Sequence, residues 1–379
     1  MPSASPVRGP TTDELAACAP GGTSPPGQDR QERAKPAFFV LRVSSPGQAA
    51  TSFGSNFSNP ELHTRVSEIL TDVLPVFLLI LVGWVIVRTG LLKAEVGEAM
   101  SEFVFKIAVP LLLFQTIAEA DFRGASPFRL WIAYFSGVAI TWAAGHIVAT
   151  RMFGRDARIG VLAGVSSAFA NTIFIGLPLV GRTVGPDGVM AMSILIAVHL
   201  PTMMIAGTLL MEQAERKENA GAGRSTAELL RQVGSNLMRN PLVIGLFCGL
   251  IVHLTSLPIP ATLGTAVDNI ANIAGPAALI SLGMALRQYG MSGNLGITSV
   301  IAAFKLFLLP ACVLAVGLLL GLSPEWRAAL VLTAAVPTGV NAWLIANRFG
   351  VGHSLAASTI TLTTALGAFS VSLWAYLLG

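Results

Sequence analysis

Two short runs of small and polar residues interrupt otherwise apolar stretches of the chain. One reads Phe169-Ala170-Asn171-Thr172-Ile173-Phe174-Ile175-Gly176-Leu177-Pro178, the other Ala335-Val336-Pro337-Thr338-Gly339-Val340-Asn341-Ala342-Trp343. Proline removes a backbone donor and clashes with the preceding helical turn, and glycine adds backbone freedom. Both runs therefore predict a broken helix that releases amides and carbonyls in apolar surroundings, where they need partners. A substrate can supply them. The N-terminal ends of the outgoing half-helices would turn partial positive charge towards an anion, while Asn171 and Asn341 add donors without net charge. Asn171 and Asn341 are thus candidate binding residues, in runs that also hold Thr172, Pro337 and Thr338. The plainer reading is a pair of proline kinks, which apolar helices tolerate.

Charge is sparse along the apolar stretches. Glu102 and Lys106 stand four apart, the spacing that pairs side chains on one helix face. An intramembrane lysine is by default a functional candidate. Lys106 could neutralise a substrate carboxylate, or be released by a proton moving to Glu102. It also fits a lysine whose stem lies along lipid while its ammonium snorkels to the interface, and Lys305 is read in that second way. His199, just before Pro201, could sense pH but reads better as a packed, neutral histidine. No Asp or Glu stands in the middle of a stretch. A sodium/proton exchanger wants a carboxylate there, so the chemistry suits an organic anion better than a bare cation. HExxH, GxSxG, Walker and dinucleotide motifs are absent, and neither an enzyme nor a cofactor is expected. Cys18, Cys248 and Cys312 have the spacing of neither a zinc site nor a disulfide framework, so no metal is expected.

The elements that position these residues follow from composition. Of 379 residues, 53% are apolar and 12% charged, against about 25% charged in soluble proteins; lipid is the expected solvent. The net charge of +4 is spread out, which argues against a nucleic-acid partner. Residues 1–65, rich in Pro, Gly, Ser and Thr, read as a disordered tail. Alternatively the tail is not made, with translation starting near Val66; peptides from residues 1–65 in a mass spectrum would exclude that. Ten apolar spans follow, near 73–90, 99–118, 128–150, 160–181, 188–210, 238–257, 267–287, 296–321, 327–347 and 353–378. Helices are preferred because the backbone must satisfy its own hydrogen bonds in lipid. The polar loop 212–237 separates a first five-span unit, 66–211, from a second, 238–379. Placing that loop in the cytoplasm leaves twelve Lys and Arg inside and five outside, with both termini outside.

The two units match at one gap-free offset of 166 residues: Pro75 falls on Pro241, Gly83 on Gly249, Pro110 on Pro276, Thr172 on Thr338 and Arg182 on Arg348. Five spans per unit is an odd number, so the second unit must be inverted. Inverted repeats with a midplane site characterise secondary transporters. The expected fold is an all-α membrane protein of ten transmembrane helices, two inverted five-helix repeats, with spans 4 and 9 broken.

With Ala170-Asn171-Thr172, Gly176-Leu177-Pro178 and Val336-Pro337-Thr338-Gly339-Val340-Asn341-Ala342 in those spans, residues 66–379 resemble the auxin efflux carrier (AEC) family. Its bacterial members are often labelled malonate or other organic-acid permeases, and plant PIN carriers are distant relatives. The resemblance implies a fold like that of bile-acid and sodium/proton transporters, with one bundle moving against a scaffold. It implies Asn171 and Thr172 at the first crossing and Pro337, Thr338 and Asn341 at the second. Glu102 and Lys106 become a supporting polar site, and the protein a homodimer. PIN carriers have proline at both crossings; here Asn171 stands where the offset pairs with Pro337. The resulting expectation is a secondary transporter of small organic anions, malonate-like or auxin-type, working by alternating access in the inner (plasma) membrane. A coupled proton is one expected driving ion. The alternative is an organic-acid-gated channel or sensor.

Overall fold

Among the described residues, six helical stretches are long and apolar enough to cross a membrane: Ser67–Arg88, Ala94–Ala118, Pro127–Met152, Pro186–Arg216, Leu295–Leu319 and His353–Leu378. Shorter apolar helices run over Ala157–Ala168, Thr172–Thr183 and Pro241–Thr255. The computed structural model describes residues 60–120, 126–218, 231, 235, 238–291 and 293–378. Residues 1–59 of the expected tail and most of the 212–237 loop therefore lie outside the described residues, whereas Pro60 to Arg65, also expected in the tail, form the first turns of a helix that runs to Arg88. What is described is all-helical apart from one isolated β-bridge.

In chain order the helices are α1 (Pro60–Arg88), α2 (Ala94–Phe103), α3 (Val109–Ala118), α4 (Pro127–Ile147), α5 (Ala157–Ala168), α6 (Leu177–Thr183) and α7 (Pro186–Glu218). After the loop come α8 (Pro241–Thr255), α9 (Ala261–Ala285), α10 (Leu295–Ala303), α11 (Leu309–Leu319), α12 (Pro324–Ala335), α13 (Asn341–Phe349) and α14 (His353–Leu378).

Prolines set many of these boundaries. Three π-helical turns, Val104–Ala108, Thr172–Gly176 and Phe304–Leu308, each precede a helix with proline in its second position: Pro110, Pro178 and Pro310. Proline cannot donate to the carbonyl four residues back and its ring crowds that carbonyl. Widening the turn before it relieves the clash. At Pro310 the released carbonyl is that of Leu306, which accepts from Ser370 Oγ and Trp374 Nε1 of α14, both at 2.9 Å. Pro75, Pro201 and Pro276 instead lie inside continuous helices. Pro110 and Pro276, matched by the offset, therefore differ in local structure.

The solvent-facing logic of a soluble protein is reversed. Large apolar side chains such as Leu81, Phe247, Leu319 and Phe369 point outward, while much of the interior is Ala, Gly, Ser and Thr. Small residues allow helices to approach closely where lipid removes the hydrophobic drive between them. The α1–α9 contact illustrates this: a Cβ on Gly83 would lie 2.1 Å from Ile280 O, and one on Gly283 2.0 Å from Ile80 O. α3 packs on α8, and α4 on α5 and α11.

Candidate functional site

Two interrupted helical paths meet at one point. The first runs through α5, the break Phe169–Asn171, the π turn Thr172–Gly176 and α6; the second through α12, the break Val336–Val340 and α13. Ala170 and Thr338 form an antiparallel bridge. Asn171 N donates to Pro337 O at 3.0 Å, and Gly339 N to Phe169 O at 2.8 Å. Thr338 N donates to Thr363 Oγ1 at 3.0 Å, while Thr338 Oγ1 donates to Ser166 O at 2.7 Å. The sequence predicted released backbone groups; the structure satisfies several of them by pairing the two breaks with each other. Gly339 permits this approach, since a Cβ there would stand 3.0 Å from Ala170 O.

The candidate residues divide by task. Asn171, Thr172, Pro337 and Thr338 are buried at the bridge. The Asn171 side chain accepts from Phe174 N at 3.2 Å, capping the outgoing half of the first path. Asn341 is half-buried at the first turn of α13, which starts without a side-chain cap. That terminus keeps its partial positive charge available. Glu102 and Lys106 pair with each other, and their side chains are 62% and 59% exposed.

Lys305 overturns its sequence reading. It lies on the π turn Phe304–Leu308, is 0% exposed and does not snorkel. Its Nζ donates to Ala334 O at 2.5 Å and to Val336 O at 2.6 Å. A lysine at the centre of a span costs about 3 kcal/mol on insertion. Hydrogen bonds to charged groups return about 1.5–3 kcal/mol each, so two suffice to hold it there. His199 is packed as expected, its ring centroid 5.3 Å from Tyr134, 6.2 Å from Phe135 and 5.2 Å from Phe169.

Beside the bridge lies a cavity of about 370 Å³ walled by α1, α3, α6, α7 and α9. Ile173, next to Thr172, lines it; the five candidate binding residues do not. Its polar lining side chains are Arg182 and Asn272, and the rest is apolar. Arg182 donates to Asp72 O at 3.2 Å and Thr71 O at 3.4 Å, tying α6 to α1 and keeping a cation at the cavity. In the sequence Arg182 stands out only as the offset partner of Arg348, and the available signal for Asn272 is an amide within an apolar helix. A second cleft of about 570 Å³ lies between α1, the end of α9 and α14, with Arg88, Arg287 and Tyr289 in its wall. Burial, and secondarily the Glu98 carboxylate, push the Tyr289 phenol above its ordinary range, keeping it a neutral donor.

Comparison with known proteins shows similarity to membrane transport proteins. A family model described as membrane transport protein matches residues 68–375. A Rhizobium meliloti protein provisionally named a malonate transporter is 24% identical over 325 residues, 83% of this chain and 97% of its own. An uncharacterized transporter of Methanothermobacter thermautotrophicus is 25% identical over 81% of this chain and 97% of its own. The mouse lysosomal cholesterol signaling protein is 22% identical over 68% of this chain but only 31% of its own.

Proposed function

The chain belongs to the membrane transport protein family, and on that premise we propose that it is a secondary transporter moving small organic anions across the plasma (inner) membrane by alternating access. The observation that carries this reading is the cavity beside the bridged breaks. Its volume of about 370 Å³ falls in the range of small-molecule sites, mostly apolar with a few placed polar groups. Arg182 supplies the positive charge and Asn272 a neutral donor for a carboxylate. Asn171, Thr172, Pro337, Thr338 and Asn341 form the polar crossing towards which the substrate passes. The relative named for malonate supports a small carboxylate as cargo.

The ten spans form two inverted five-helix repeats in this reading, with the central loop cytoplasmic and both termini outside. Gly83 and Gly249, matched by the offset, support it by doing the same job. A Cβ on each would lie 2.1 Å and 2.4 Å from a partner helix carbonyl, Ile280 O and Phe114 O. Clefts flank both the α6 and the α14 side of the α1–α9 pair, as rocking of one bundle against another requires. Glu102 and Lys106 form a self-neutralised pair supporting span 2 without touching substrate. Two copies form the working dimer. An anion moving alone is expelled by an inside-negative potential at about 2.3 kcal/mol per charge per 100 mV; one proton accompanying a monoanion makes transport electroneutral.

The test is counterflow in proteoliposomes loaded with a panel of organic acids, following labelled malonate with and without a pH gradient. Accumulation that Arg182→Gln and Asn341→Ala both weaken is the expected result. No accumulation with any acid, from folded protein, removes the carrier reading. The second reading, a membrane sensor of organic acids, draws on the relative named as a signaling protein; saturable binding without counterflow would select it.

A further inference from the structure

The Lys305 ammonium lies outside the anion cavity and has no carboxylate partner among the described residues. It is fully enclosed at the C-terminal end of α12, where it meets Ala334 O and Val336 O. A helix ends with carbonyls that lack intrahelical partners and carry partial negative charge. In carriers built from discontinuous helices, such ends and the unwound carbonyls beyond them coordinate the driving cation. An ammonium is a compact monovalent charge with three donors, so it suits the same oxygens. On the first interrupted path the released carbonyls at Ser166 and Phe169 are taken instead by neutral donors, Thr338 Oγ1 and Gly339 N.

We propose that Lys305 is a tethered cation filling a monovalent-cation site at the end of α12, and that the protein therefore takes no sodium at this position. The π turn holds the side chain inward, and the Leu306 carbonyl freed by Pro310 fixes that turn to Ser370 and Trp374 of α14. The ammonium thus travels with the crossing as a permanent part of it. The site stands on this geometry alone; only its consequence for transport rests on the carrier reading.

The test uses the full chain, purified in choline chloride or in ethylammonium chloride at equal ionic strength. Lys305→Ala leaves both the space and the carbonyls. Its melting temperature is expected to rise by about 3 °C or more, saturably, with millimolar ethylammonium or sodium. Wild type and Lys305→Met, whose side chain fills the space, are expected not to respond. A Lys305→Ala chain that none of these cations stabilises, or that fails to fold even in ethylammonium, overturns the proposal, as does an equal response from wild type. In proteoliposomes, wild-type malonate counterflow is expected to be the same in choline and in sodium. A loss of about tenfold without sodium, a difference of about 1.4 kcal/mol, overturns the claim for transport. Absence of counterflow altogether sinks the carrier reading instead, and leaves the melting result to judge the site.

Discussion

The two interrupted paths cross at one bridge yet stabilise their ends by different chemistry. The α5–α6 path uses neutral groups: the Thr338 hydroxyl on Ser166 O, the Gly339 amide on Phe169 O and the Asn171 side chain on Phe174 N. The α12–α13 path uses a buried ammonium on Ala334 O and Val336 O, and its outgoing helix has no side-chain cap. Related local sequence therefore does not imply equivalent electrostatics. The second path carries a buried lysine Nζ at one end of its break and a helix N-terminus without a side-chain cap at the other. The same contrast separates two lysines on two π turns. Lys106 is 59% exposed and paired with Glu102, whereas Lys305 is 0% exposed and bound only to carbonyls.

Breaking the charged side should have the largest effect. Lys305→Met leaves two buried carbonyls without partners, at about 1–3 kcal/mol each. Its melting temperature should fall by about 5–10 °C in a thermal scan; a shift under about 1 °C would erase the distinction between the paths. Arg182→Gln should raise the half-saturation concentration for malonate about tenfold while keeping the maximal counterflow rate, because it removes a charge from the ground-state cavity. Breaking the neutral side should be milder. Thr338→Val loses one neutral hydrogen bond, and Asn171→Ala one helix cap, each at about 1 kcal/mol of stability; denaturant or thermal midpoints would register both. Lys106→Met should be smallest, within about 0.5 kcal/mol, since exposed i,i+4 pairs contribute little. An effect of Lys106→Met as large as that of Lys305→Met would make the two lysines equivalent after all.

Much of the fold was legible because its causes are local or compositional. Low charge with long apolar runs dictates lipid as solvent and helices as the structure. Pro178, Pro337, Gly339 and Asn171 marked both breaks, since a missing donor and a freed backbone act on the residues beside them. Asn171 was also legible as a polar group at a break, although its cap on Phe174 N was not. Lys305 was misread because the sequence around it, Ala303-Phe304-Lys305-Leu306-Phe307-Leu308-Leu309-Pro310, resembles that around Lys106, Phe103-Val104-Phe105-Lys106-Ile107-Ala108-Val109-Pro110. Both predict a lysine shortly before a proline; neither says which way it faces.

The sequence by itself determined where the helices break, that the chain lives in lipid, and which residues are polar at the breaks. Only the tertiary structure decided that Ala170 pairs with Thr338, that Arg182 and Asn272 share one cavity, and that Lys305 turns inward to the end of α12. The reason is range. Helix breaking depends on dihedral angles and hydrogen bonds within one turn, whereas the cost of a charge depends on which distant carbonyls replace its water, and those come from elements more than a hundred residues away for Thr338 and about thirty for Lys305.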